Sequence, residues 1–182
     1  MDILSHGLWT AALARAINLK LKPKRKLNVL LAGFFGFLPD LLAFTPAFLY
    51  IILELAFDTN NGIIPHPANL EPPLRNTIPI FQLTDILYKL SHSIFPFIII
   101  FSIFSLILKR PIYELSGWLI HILIDIPTHT YELYPTPFLW PFSTIIFGGI
   151  TWVSPYFIML NYSALIVIYY FLYFKKQKLY LK

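Results

Sequence analysis

Cysteine is absent from this 182-residue chain, and charged residues make up only 13% of it. Without cysteine, disulfides and thiolate metal sites are excluded, so any bound metal must be held by nitrogen and oxygen ligands. The share of charge is about half that of an average soluble domain. The formal net charge of +5 comes from short basic clusters beside apolar stretches, which is typical of membrane anchors and argues against a nucleic-acid partner.

Apolar residues make up 57% of the chain, and the mean hydropathy is +0.67. This composition is that of an integral membrane protein. We therefore expect residues 1–182 to form one all-α domain, a small polytopic membrane helix bundle of about five to six helices with a re-entrant or short N-terminal helix. The proline-rich and aromatic stretches 58–82 and 127–151 are predicted to be extramembrane loops on the non-cytoplasmic side.

Apolar runs, prolines and capping residues predict where the helical segments lie. These segments are Ser5–Asn18, Leu27–Leu38, Leu41–Phe57, Leu83–Leu108, Pro111 to about Pro127, and Trp152–Phe174. Asp2 or Ser5 is the expected N-cap of the first segment. We expect Pro39-Asp40 to separate the second segment from the third, and Pro96 to kink the fourth.

The basic clusters predict how the chain is threaded through the plasma membrane. They lie at residues 20–26, 109–110 and 175–182, and the positive-inside rule assigns all three to the cytoplasm. The opposite helix ends then gather one group of titratable residues near the outer face: His6, Asp40, His92, Asp125 and His129. If all three clusters are cytoplasmic, Leu41–Phe57 must begin and end on the outer side, as a re-entrant or interfacial segment.

His121 and Asp125 are the pair most indicative of a site, because residues four apart leave the same face of a helix and this helix is otherwise apolar. A buried carboxylate in such a segment needs a polar partner. We predict a metal ion held by these two residues with His6, Asp40, His92 and, past the helix break, His129. Ligands of this kind suit Zn²⁺ best, and Mn²⁺ or Fe²⁺ next.

Other titratable residues have plainer interpretations beside this one. Glu54 is a candidate general acid or base, as is Asp40, although Glu54 equally fits a carboxylate facing interfacial water. His66 fits a solvated loop histidine. Glu114 suits a salt bridge with the neighbouring basic residues. Asp85 and Lys89 fit an ordinary ion pair along a helix.

A family resemblance rests on several short motifs: His6, Pro39-Asp40, Ser91-His92-Ser93, the helix Gly117-Trp-Leu-Ile-His121-Ile-Leu-Ile-Asp125, and Thr136-Pro-Phe-Leu-Trp140-Pro141. In this order they resemble the YdjM-type membrane-bound metal-dependent hydrolases over nearly the whole chain, with a more distant similarity to zinc-dependent phospholipases C. The resemblance implies that these His and Asp residues bind metal. Family members often carry an extra Asp-His after Pro-Asp, where this chain has Leu42-Ala43, and an extra histidine where it has Leu87, so the retained residues suffice for one ion.

The leading hypothesis is therefore a metal-dependent hydrolase acting on a phosphoester or acyl bond, with membrane lipids as partners and a lipid or lipid-linked substrate. A transporter or ion-conducting or proton-conducting protein could use the same His and Asp cluster. A haem-binding bundle using two histidines is a third possibility. The sequence leaves the substrate, the number of metal ions and the oligomeric state open.

Overall fold

The computed structural model describes residues 1–23, 26–57, 78–132 and 134–173, which form helices and connecting segments and contain no β-strand. The helices are α1 (Ile3–Asn18), α2 (Val29–Phe57), α3 (Pro79–Ser91), α4 (Ile94–Ile107), α5 (Ser116–Thr128) and α6 (Pro155–Tyr173), with a 3₁₀ turn at Tyr113–Leu115 before α5. The predicted all-α class is confirmed. Lys24, Arg25, the loop 58–77 with His66, and the C-terminal lysines lie outside the described residues.

Two of the described helices, α2 and α6, are long and apolar enough to cross a membrane. Helices α3 and α4 together would supply a third span, although they meet at a bend of 66°. Most side chains of α6 are exposed, and only Asn161 and Leu165 are buried. An apolar helix with so little buried surface is suited to contact with lipid.

Helix α2 is continuous through Pro39 and Pro46, and this corrects the prediction of two segments separated at Pro39-Asp40. A proline removes one backbone donor, but inside a packed membrane helix neighbouring groups can meet the carbonyl that it leaves free. Pro39 and Asp40 are buried where α2 passes the other helices. Leu41–Phe57 is therefore the second half of one 29-residue helix rather than a separate re-entrant segment.

The fourth predicted segment breaks at His92 and Ser93 rather than at Pro96. Pro96 lies in the first turn of α4, where a backbone N–H has no helical acceptor and its loss costs little. The break exposes the backbone of the link, and the loop after α5 covers it: the Ile94 N–H donates to the Phe138 carbonyl at 3.0 Å. The Ser93 hydroxyl donates to the Trp140 carbonyl.

Glycines allow α1, α2 and α5 to approach closely. A Cβ added to Gly36 would overlap the Thr10 side chain of α1, and one added to Gly117 would overlap the Ala32 carbonyl oxygen of α2. Contacts this short require a residue without a side chain on one of the two helices. The glycines therefore set the separation of the three helices, on which the predicted ligands His6, Asp40 and His121 lie.

Helix α6 is attached to α1 by hydrogen bonds in place of an extensive apolar interface. The Trp9 indole N–H donates to Asn161 Oδ1 at 2.8 Å, and Asn161 Nδ2 donates to the Ser5 hydroxyl at 2.6 Å. The Tyr162 hydroxyl donates to Asp2 at 2.9 Å. These contacts fix α6 against the first turns of α1.

Candidate metal centre

Four predicted ligands from two helices and one helix break lie together in the interior. Asp40 lies on α2, His92 in the α3–α4 link, and His121 and Asp125 on α5; all four are buried. One ligand atom from each lies within 4.8 Å of the others. The structure therefore brings these four predicted ligands together as a group that could hold one metal ion.

The separations of these atoms match a coordination shell. Nε2 of His92 and Nε2 of His121 are 3.0 Å apart, and they lie 3.4 and 3.1 Å from Asp125 Oδ2. Asp40 Oδ1 lies 3.3 Å from the first and 3.7 Å from the second of these nitrogens. Ligands about 2.0–2.2 Å from one central ion occupy tetrahedral positions about 3.3–3.6 Å apart. The five histidine-containing separations are thus close to those of a single tetrahedral metal site, and every pair of ligand atoms lies within 4.8 Å.

Backbone carbonyls determine which nitrogen of each histidine faces the cluster. His121 Nδ1 lies 2.8 Å from the Gly36 carbonyl, and His92 Nδ1 lies 3.2 Å from the Tyr88 carbonyl. A carbonyl oxygen only accepts, so His121 Nδ1 must carry the proton. His92 Nδ1 lies beside both the Tyr88 carbonyl and, at 2.9 Å, the Ser91 hydroxyl, and it carries the proton in the tautomer that satisfies the carbonyl. In the neutral rings both Nε2 atoms are then bare acceptors, directed at each other and at two carboxylates. Metal-binding histidines are commonly oriented by such a carbonyl.

His6 and His129 lie on the other oxygen of Asp125. His6 Nε2 is 2.8 Å and His129 Nε2 is 3.2 Å from Asp125 Oδ1, and the α-amino nitrogen of Met1 is 2.5 Å from the same oxygen. His6 also stacks on His121 with ring centroids 3.7 Å apart. Asp125 Oδ2 therefore faces His92 and His121, whereas its Oδ1 faces His6, His129 and the α-amino group of Met1.

Several buried polar atoms of the cluster have no hydrogen-bond partner within the described residues. They are Asp40 Oδ2, Asp125 Oδ2, and both ring nitrogens of His6, whose short approach to Asp125 lacks hydrogen-bonding geometry. Leaving buried carboxylate oxygens unmet costs several kcal/mol in total at about 1–3 kcal/mol each. A cation bound among these atoms would compensate this cost, so the donor set fits a divalent metal.

Asp2 holds the first turn of α1, next to His6. It accepts hydrogen bonds from the Ser5 N–H at 2.9 Å and the Ser5 hydroxyl at 2.6 Å, as the sequence predicted for this N-cap. Burial by itself would raise the pKa of the Asp2 carboxyl, but these bonds and the one from Tyr162 outweigh it and lower the pKa below its ordinary value. Asp2 is thus a charged cap under neutral conditions.

Glu54 is not brought to the cluster. It lies 14 residues beyond Asp40 on α2, which is about 21 Å along a helix, and it is hydrogen-bonded to Tyr50. Glu114 accepts from the Asn28 N–H at 2.8 Å, instead of pairing with Lys109 or Arg110 as the sequence suggested. Asp85 and Lys89 form the predicted ion pair at 2.6 Å.

Sequence reasoning missed the groups that orient the ligands. The Gly36 carbonyl is a backbone group and carries no side-chain signal. Tyr88 stacks on His92 with centroids 3.9 Å apart, and its hydroxyl donates to the Tyr134 carbonyl at 2.7 Å. Tyr88 lies four residues before His92, so helical spacing could have indicated that the two side chains are neighbours.

Comparison of the chain with protein-family models, with curated proteins and with solved structures gave no match.

Proposed function

We propose that this protein is a membrane-bound, divalent-metal-dependent hydrolase whose metal ligands are Asp40, His92, His121 and Asp125. The observation that carries the proposal is the approach of two imidazole Nε2 atoms to 3.0 Å beside two buried carboxylates. Lone pairs and negative charges at this separation repel each other unless a cation lies among them. The motif resemblance to the YdjM-type hydrolases supports the same conclusion.

The donor set favours zinc. Two imidazoles and two carboxylates without sulfur suit Zn²⁺, while Mn²⁺ and Fe²⁺ are the next candidates. Such an ion supplies a Lewis acid for a phosphoryl or acyl oxygen and activates water near neutral pH. Asp40 is the candidate proton acceptor, because its Oδ2 is buried beside the cluster and makes no hydrogen bond in the described part of the chain. The α-amino nitrogen of Met1 and Nε2 of His129, at 2.5 and 3.2 Å from the other oxygen of Asp125, orient this carboxylate.

The depth of the cluster favours a lipid or lipid-linked substrate. Asp40 lies 11 residues beyond Val29, or about 17 Å along α2. His6 lies 12 residues before Asn18, or about 18 Å along α1. Val29 and Asn18, from which these lengths are measured, both lie close to the basic segment 20–26, which we assign to the cytoplasm. In a hydrocarbon core about 30 Å thick, these lengths support a cluster past the midplane, toward the outer leaflet of the plasma membrane, where a lipid phosphoester is the accessible bond.

A transporter or proton-conducting protein remains the alternative function. It would require polar groups leading from the cluster toward the basic ends of the helices. The buried polar side chains described along that part of α1, Thr10 and Asn18, are hydrogen-bonded to backbone groups. The half-buried Arg15 lies over the Tyr173 ring of α6, 4.8 Å from its centroid. This arrangement favours a site closed on the cytoplasmic side. A haem-binding function would give a Soret band in the visible spectrum.

Metal content and thermal stability test the proposal. Detergent-purified protein should hold about one equivalent of zinc, and zinc at about 100 times its Kd should raise the melting temperature by roughly 5–10 °C. His121→Ala and Asp125→Ala should lose both effects, whereas Asp85→Asn, which changes a carboxylate in a remote ion pair, should keep them. Wild-type protein that binds neither zinc nor manganese would refute the proposal. Release of phosphate or headgroup from lipid substrates by the wild type, but not by Asp125→Ala, tests hydrolysis separately.

A further inference from the structure

His92 lies in the short link between two helices and not within a helix. It lies with Ser93 between α3 and α4, which meet at 66°. The His92 N–H still donates to the Tyr88 carbonyl of α3 at 2.8 Å, but the last carbonyls of α3, including that of Ser91, lack a helical partner. Whatever holds this bend also determines where His92 Nε2 lies.

Trp118 provides one such contact from the helix that carries two other ligands. Its indole N–H donates to the Ser91 carbonyl at 2.6 Å, directly before His92 in the chain. Its ring is buried in the core with Phe97, Leu115 and Ile122. Trp118 stands three residues before His121, so one hydrogen bond joins the His92 backbone to the helix of His121 and Asp125.

From these contacts we infer that Trp118 is a positioning residue that holds His92 in reach of His121 and Asp125. The inference rests on the proposed metal-binding function and extends it to a residue that touches none of the ligand atoms. It also explains the aromatic residue in the Gly117-Trp118 pair before His121: the ring fills the core, and the N–H orients the neighbouring ligand. A buried indole N–H needs an acceptor in any case, and here the acceptor is the carbonyl directly before His92.

Removing the indole N–H of Trp118 while keeping an aromatic ring separates the positioning role of this residue from its packing role. Trp118→Phe keeps an aromatic ring in the core but loses the donor. Trp9→Phe is the matched control, since it also removes an indole hydrogen bond, at 2.8 Å to Asn161, between α1 and α6. For each variant we would measure the melting temperature without metal, the Kd for zinc, and the visible absorption of the cobalt-loaded protein, which reports coordination geometry.

Both variants should lose similar thermal stability without metal. Only Trp118→Phe should raise the zinc Kd, by about tenfold, which is within the range for residues that orient metal ligands. Only Trp118→Phe should also weaken and shift the cobalt absorption. An unchanged zinc Kd and cobalt spectrum in Trp118→Phe would overturn the positioning role while leaving the metal site intact. If the wild type binds no metal, the proposed function fails, and the role of Trp118 fails with it.

A second measurement does not depend on folding of the Trp118 variant. The chain has four tryptophans, so ¹⁵N-labelled protein gives four indole N–H resonances, which Trp9→Phe, Trp140→Phe and Trp152→Phe assign by elimination. The Trp118 N–H should exchange with solvent most slowly of the four and should shift when zinc is added. Rapid exchange and no shift would refute the inference.

Discussion

Substitution of Gly117 by alanine tests whether the spacing of two helices controls the metal centre. The added Cβ would overlap the Ala32 carbonyl oxygen and would also lie 3.2 Å from the Gly36 nitrogen and 3.3 Å from the Phe35 Cβ. Ordinary contacts between such atoms begin at about 3.4–3.5 Å. Because two of these neighbours are backbone atoms of α2, which cannot rotate away, α5 must move outward by about 1 Å.

That displacement is large relative to the tolerance of the site. Both His121 and Asp125 lie on α5, whereas Asp40 and His92 lie elsewhere, so the shift separates two ligands from the other two. Sites of this kind require their groups within about 0.5 Å of the productive geometry. We expect the zinc Kd to rise at least about 100-fold, the upper end of what loss of an orienting partner produces. Overpacking should also lower stability by about 1–3 kcal/mol.

Gly33→Ala is the control for this experiment. Its added Cβ would lie 3.3 Å from Ala11 Cβ and 3.3 Å from the Gly7 carbonyl oxygen, so a shift of a few tenths of an ångström accommodates it. Competition with a chromophoric chelator measures the zinc Kd of both variants, and thermal unfolding measures their stability. If Gly117→Ala folds and binds zinc as tightly as Gly33→Ala, the argument from helix spacing is wrong.

Three further predictions follow from the placement of single residues. Asp40→Asn should abolish zinc binding and lipid hydrolysis while Glu54→Gln leaves both unchanged, since Glu54 lies about 21 Å along α2 from Asp40; equal losses in the two variants would contradict this. The lowered pKa of Asp2 means that its charge stabilises the fold above its unfolded pKa of about 3.9 and ceases to do so as the pH falls through the folded pKa. The difference in melting temperature between wild type and Asp2→Asn should therefore be present at pH 7 and should shrink as the pH falls below about 3.9, and a difference independent of pH would exclude this origin. Because the chain has no cysteine, single cysteines at the exposed residues Lys22 and Tyr131 should react with a membrane-impermeant maleimide from the cytoplasmic and the outer side respectively, and the reverse pattern would refute the proposed orientation.

The helical class and most of the site were accessible from the sequence, because both depend on patterns along one chain. Apolar runs between caps predicted α1 and α6 to within three residues of their observed limits. His121 and Asp125 share a helix face by spacing alone. Asp40 and His92 were predicted to lie near them because all basic clusters were assigned to one side of the membrane. That assignment placed the opposite helix ends at one level.

The errors came from prolines. Pro39 and Pro96 were both expected to disturb their helices, yet α2 runs through Pro39, and Pro96 lies harmlessly in the first turn of α4. A proline acts through one missing donor and one steric clash, and the local sequence does not say whether neighbouring helices compensate for them. The true break at His92 is stabilised by contacts from Trp118 and the loop at 138–140, which are distant in the sequence.

Glu54 shows a second limit of the same reasoning. An intramembrane carboxylate is a sound candidate for function, but its distance from Asp40 depends on whether α2 turns back after Pro39. A re-entrant segment would have returned Glu54 toward the outer helix ends. The continuous helix carries it away from the cluster, so one incorrect break changed the expected surroundings of a residue 14 positions further along.

The Gly36 carbonyl connects local unwinding of α2 with the candidate metal site. The regular pattern of an α-helix pairs this oxygen with the backbone N–H of Asp40, four positions ahead, and it also accepts His121 Nδ1 at 2.8 Å. Unwinding of this one turn therefore releases two of the four ligands at once. Amide hydrogen exchange at Asp40 should slow on zinc loading in parallel with that of α5, so that this turn and the site open as a single cooperative unit.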